Sequence, residues 1–142
     1  MKLVTSAVEE FVRAFARLSD EGDVAGLAAC FAETFVAGGP QGAKAVRASD
    51  FGPALPKRYE LFTRMGCRKT EMVAYAEEAL DARYVWARTR WRFTFAREGA
   101  EAVEVEVGSS YLVDAGAEPV RFLVYLAHQD IVEVLKERGI AP

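Results

Sequence analysis

The feature that most constrains this chain is a change of hydrophobic period near residue 69. Before it, apolar residues recur at helical spacing. After it they alternate. Val8, Phe11, Val12, Phe15 and Leu18 make one stripe, with Ser6 and Glu9 at capping-box spacing, so residues 6–19 are predicted to form an amphipathic helix ending at Gly22. Asp23 is expected to cap a second short helix that buries Val24, Leu27, Ala28 and Phe31. Phe31–Ala37 reads as a short strand that stops at a loop of Gly38, Gly39, Pro40, Gln41 and Gly42. That loop is not a phosphate cradle, because no Gly precedes Lys44 and the GK[ST] element is missing. A third helix, capped by Ser49 or Asp50, contains Pro53 and Pro56, with a kink or break expected at Pro56. It buries Leu55, Tyr59, Phe62 and Met65 and ends at Gly66.

From Lys69 onward, residues 69–77, 83–97, 101–113 and 120–128 read as four strands joined by hairpin connections. Helices followed by an antiparallel meander define an α+β fold, expected to be a single domain over residues 1–142. In the long hairpin, Val85, Ala87, Thr89, Trp91, Phe93 and Phe95 face the helices. From the next strand Val103, Val105, Val107, Ser109, Tyr111 and Val113 join them. Arg88, Arg90 and Arg92 lie on the other face beside Glu104 and Glu106. The expectation is a solvated ladder of ion pairs rather than an anion stripe, since the carboxylates cancel the charge. The last strand is apolar on both faces, with Phe122, Val124 and Leu126 expected on one and Leu123, Tyr125 and Ala127 on the other. The helices cover only one face, so the second must meet another chain or the C-terminal segment. Trp86 and Tyr84 point the same way, which predicts a homodimer through the convex sheet. A final helix begins at Asp130, with Glu133 at capping spacing, turns Ile131, Val134 and Leu135 inward, and ends at Gly139.

Composition narrows the function. Of the 142 residues, 51% are hydrophobic and 27% charged, which excludes a disordered chain. The net charge of −3 supplies no field for nucleic acid or an acidic membrane. No apolar run approaches the length of a membrane span, and Met1–Ser6 lacks the pattern of a secretory leader, so a cytoplasmic protein is expected. Cys30 and Cys67 have no partner at metal spacing and read as small buried groups; no metal or cofactor is expected. Abundant Ala and the excess of Arg over Lys point to a GC-rich bacterial source.

Gly22-Asp23-Val24-Ala25-Gly26-Leu27, then Phe31-Ala32-Glu33, Pro40 and Gly42, with the order of elements around them, resemble the nuclear transport factor 2-like superfamily in its ketosteroid isomerase branch. The tail Tyr125-Leu126-Ala127-His128-Gln129-Asp130 is similar to SnoaL-like bacterial proteins. The resemblance implies a cone: three N-terminal helices on a strongly curved, mainly antiparallel sheet, with a short C-terminal helix. It also implies a pocket between sheet and helices lined by Phe15, Phe35, Tyr59, Phe62, Trp91, Ser109 and Tyr111, with His128 a further candidate, fit for a small hydrophobic ligand. The isomerase's general base would fall on Gly39, its oxyanion-stabilising Tyr on Phe15 and its protonated Asp on Ser109, so that chemistry is expected to be absent. The epoxide-hydrolase branch requires an Arg between two carboxylates, and the inward positions of the long hairpin supply none.

His128 is the lone histidine. An enzymatic alternative makes it the acid or base of a cyclase-, isomerase- or dehydratase-like reaction, oriented by Asp130 or Tyr59, with Tyr59 or Tyr111 polarising a carbonyl. Against this stand a His128 that merely closes the last strand and an Asp130 that caps a helix. A third reading is a dimeric interaction module with a filled core.

Overall fold

A computed structural model describes residues 6–140. The reading of Met1–Thr5 and the last two residues lie outside that range. Helix α1 spans Ala7–Glu21, with the Ser6 side chain accepting from the Glu9 N–H; Gly22 closes it at a φ of 71°. Helix α2 covers Val24–Ala29, capped by Asp23 through the Gly26 N–H. Of its predicted stripe Val24, Leu27 and Ala28 are half-buried, while Phe31 is buried but lies beyond the helix, as the first residue of the strand that follows.

The Gly/Pro cluster is not a loop. Strand β1 (Phe31–Gly39) and β2 (Gly42–Arg47) form a hairpin in which Gly39 pairs with Gly42 and only Pro40 and Gln41 turn the chain. Gly42 accommodates this with a φ of 127°, a conformation an L side chain rarely adopts. The run of glycines hid a strand, since pairing depends on backbone groups that glycine also carries.

Helix α3 runs over Ala48–Arg64. Its cap position is Arg47, two residues before Ser49 and three before Asp50, in extended conformation with no side-chain bond. It continues through both prolines without ending. Pro53 and Pro56 lie on the exposed side, so the carbonyls they leave unbonded reach water. Phe62 and Met65 are buried as expected, but Tyr59 is 46% exposed.

The meander follows as β3 (Cys67–Ala79), β4 (Tyr84–Phe95), β5 (Val103–Asp114) and β6 (Arg121–Ala127). The six-stranded sheet is ordered β2-β1-β6-β5-β4-β3, curved and unclosed, with β1 parallel to β6 and the other pairs antiparallel. Helix α4 (Ile131–Glu137) is capped by Asp130, which accepts from Val132 and Glu133 N–H groups. It buries Ile131 and Leu135 in the common core. No helix among the described residues is long and apolar enough to cross a membrane.

The long hairpin keeps the predicted faces. Thr89 pairs with Ser109, Ala87 with Tyr111 and Trp91 with Val107, all buried. On the other face Arg90 and Arg92 meet Glu106 at 2.7 and 3.2 Å, and Arg92 also approaches Glu104 and Glu71. The ladder of ion pairs is therefore present.

The last strand departs from strict alternation. Phe122 pairs with inward Val113, yet Val124 pairs with outward Leu112, because a bulge takes up one residue between them. Phe122, Tyr125 and Ala127 thus share the inner face, while Val124 and Leu126 face out. A one-residue slip reverses every side chain beyond it. The outward side carries an apolar row across five strands: Ala45, Val36, Val124, Leu112 and Trp86 pair in succession. Asp130, Ile131 and Val132, where the C-terminal helix begins, line the cavity on the inner side, opposite this row.

Candidate functional site

Between the inner face and the helices lies a cavity of about 560 Å³. Phe15, Phe35, Tyr59, Phe62, Trp91, Ser109 and Tyr111 all contribute to its wall, as do Leu27, Phe31 and Val107. The aromatic side is set by α1. Phe15 makes T-shaped contacts with Trp91, Tyr111 and Phe122 at centroid distances of 6.0, 5.7 and 4.9 Å. Such edge-to-face contacts hold rings in fixed orientation.

Three wall residues, Trp91, Ser109 and Tyr111, join Thr89 behind them in a buried polar cluster, and the register explains their meeting. Thr89 and Ser109 are direct cross-strand partners, while Trp91 and Tyr111 stand two residues further along the same face. The Trp91 Nε1–H lies 2.7 Å from Thr89 Oγ1 and 2.9 Å from Ser109 Oγ. The two hydroxyls are 2.8 Å apart, and Thr89 Oγ1 also donates to the Ser109 carbonyl at 3.0 Å. Ser109 Oγ donates to Tyr111 Oη at 3.0 Å. Burial holds the Tyr111 hydroxyl well above the ordinary phenol range, so it is protonated at neutral pH. Trp91, Ser109 and Tyr111 were legible as wall residues; Thr89, which completes the cluster, was read only as an inward position. Its place opposite Ser109 and two residues before Trp91 was the available signal.

The rim is charged. Asp20, Arg58, Arg68, Lys69 and Asp130 border the cavity, beside the β1–β2 turn. Both acids are engaged by backbone: Asp20 accepts from the Thr70 N–H at 2.8 Å and Asp130 from the Val132 N–H at 3.0 Å. Asp130 is thus a helix cap on the cavity's border. The Arg58 guanidinium lies 4.8 Å from the Phe62 ring centre. Tyr59 lies across the Gly22 turn so closely that a Cβ at Gly22 would overlap its ring. Cys67 also borders the cavity, its thiol pushed up by burial and so not activated.

His128 lies elsewhere. Its Nε2 is 2.7 Å from Ser110 Oγ, and Ser110 points opposite to Ser109 and Tyr111. His128 is not part of the cavity wall, and neither Asp130 nor Tyr59 is its hydrogen-bond partner. The bulge near Leu123 sets the phase of the strand that leads to it. The residue aligned by resemblance with the isomerase base, Gly39, does border the cavity, with no side chain to offer. Among the described residues no three His, Cys, Asp or Glu side chains gather as a metal-holding group.

No protein-family model matches the chain, and no curated protein matches it. Solved structures do. An NTF2-like protein with a cystatin-like fold from Novosphingobium aromaticivorans superposes with a TM-score of 0.71 at 10% identity, covering 86% of this chain and 79% of that one. The beta subunit of the benzoate 1,2-dioxygenase from Burkholderia mallei gives 0.67 at 13% identity, over 92% and 94%. A ketosteroid isomerase-like protein from Erwinia carotovora atroseptica gives 0.63 at 16%, over 85% and 92%. The chain has the nuclear transport factor 2-like, cystatin-like fold. At these identities the likeness is one of fold, and function has to be argued from the site.

Proposed function

We propose that the protein holds a small apolar or aromatic molecule in its cone, and does so as a homodimer joined through the outward face of the sheet. The observation that carries the reading is the cavity itself. About 560 Å³ of space, walled by rings and aliphatic side chains with one compact polar cluster, has the size and composition of a small-molecule site. A binding role rather than an isomerase role is supported by the chemistry at three positions. Gly39 has no side chain to accept a proton, Phe15 has no donor, and Ser109 offers a neutral hydroxyl. The outward row from Ala45 to Trp86 supports self-association, because an apolar band crossing five strands gains by being covered.

Native mass spectra of protein purified without denaturation test both parts. The expected species is a dimer of 15.6 kDa chains that takes up neutral N-phenyl-1-naphthylamine or already carries an adduct. A dimer that binds no apolar probe would favour an interaction module with a closed core. A 15.6 kDa species at micromolar concentration would refute the interface.

A further inference from the structure

We propose that the cone's ligand is an aromatic carboxylate that also bears a hydrogen-bond-accepting oxygen, with the oxygen seated against Tyr111 Oη and the carboxylate left at the rim where Arg58 and Arg68 stand. This rests on the cone being a binding site and specifies what it binds.

The inner end follows from proton accounting. Thr89 spends its hydroxyl proton on Ser109, and Ser109 donates to Tyr111, so the Tyr111 oxygen is an acceptor within the cluster. Its own O–H has no acceptor among the described residues, and the Tyr111 side chain borders the cavity. A buried donor left unmatched is costly. A ligand carbonyl or ether oxygen supplies the missing acceptor. Because burial keeps the phenol protonated, the group donates across the physiological range.

The outer end follows from charge accounting. Of the rim acids, Asp20 and Asp130 are engaged by backbone N–H groups. Lys69 meets Glu71 at 3.5 Å. Arg58 and Arg68 border the same cavity and pair with no carboxylate among the described residues. The two guanidinium groups are therefore the cations at the opening left without an ion-pair partner, and their planar sets of N–H donors suit a carboxylate. Between the two ends the wall is aromatic, which favours a flat ring system.

Three naphthalenes of one shape separate these elements: 6-acetyl-2-naphthoate, 6-isopropyl-2-naphthoate and 2-acetyl-6-methylnaphthalene, measured by equilibrium dialysis. The keto acid should bind tightest. Tyr111→Phe should weaken it about fivefold while leaving the isopropyl acid within twofold, the difference being one hydrogen bond. Arg58→Met and Arg68→Met should weaken both acids about two- to fivefold, an effect that fades with salt, and leave the neutral ketone unchanged. Thermal melting of each variant checks that it is folded. Equal binding of all three compounds, unaltered by these variants, would overturn the ligand assignment while upholding the binding site. Failure of all three, together with failure of N-phenyl-1-naphthylamine, would overturn the binding reading itself.

Discussion

Ser109 is the hub of the polar cluster, and its removal gives a sharp quantitative test. Its Oγ lies 2.8 Å from Thr89 Oγ1, 2.9 Å from Trp91 Nε1 and 3.0 Å from Tyr111 Oη, with the residue only 4% exposed. Three lost bonds do not cost three times one bond. In Ser109→Ala the Trp91 N–H keeps Thr89 Oγ1 at 2.7 Å and Thr89 keeps the Ser109 carbonyl, so Tyr111 alone loses its partner. The expected loss is about 1–2 kcal/mol, the cost of stranding one buried polar group. For a chain of this size that is a fall in Tm of roughly 3–8 °C. Urea unfolding should show a lower midpoint with an unchanged slope. Trp91→Phe removes the donor from the other side, and the double variant should be less destabilised than the sum of the singles by about 0.5–1.5 kcal/mol. A Ser109→Ala stability within about 0.5 kcal/mol of the parent, or strict additivity, would refute the hub.

Four further outcomes follow from the fold. Gly22→Ala places a side chain at a φ of 71° against the Tyr59 ring, and should cost about 1–2 kcal/mol while displacing Tyr59 from the rim, read by unfolding and by probe affinity. Asp130→Ala removes the cap of α4 and should cost about 0.5–2 kcal/mol, with loosening read by hydrogen exchange in residues 131–137. The Arg83 guanidinium, 2.7 Å from Asp114, holds that carboxyl below its usual range; its stabilising effect is therefore complete above the ordinary carboxylate pKa and lost as pH falls through the depressed value. Acid titration of stability should lose part of its low-pH slope in Asp114→Asn. Val124→Arg, in the middle of the outward apolar row, should yield monomers in sedimentation, whereas Glu104→Arg should not.

Where local chemistry decides the structure, the sequence was readable. Ser6, Gly22, Asp23 and Asp130 mark helix ends because their side chains or φ values act within four residues. The inner faces of β4 and β5 followed from the period of two, and with them the wall from Trp91 to Tyr111. Three features were hidden because they depend on how one strand pairs with the next rather than on its own pattern of side chains. Glycines at 38, 39 and 42 gave no side-chain pattern to betray the β1–β2 hairpin. The bulge near Leu123 inserts one residue against β5, and no residue type announces it. It divides the outward row differently from simple alternation. His128 shows the same limit: its chemistry was conspicuous, but which face it served depended on β5, where Ser110 holds it away from the cavity.

The central claim is that the cone is an open binding site, and the most direct measurement is a titration of N-phenyl-1-naphthylamine into the protein and into Leu27→Trp. Leu27 borders the cavity and is half-buried, so the larger ring occupies the space a ligand would use. The account predicts saturable binding, one probe per chain with blue-shifted emission, weakened at least about tenfold in a variant that still unfolds cooperatively. Absence of saturable binding, or equal binding by the filled variant, would contradict it.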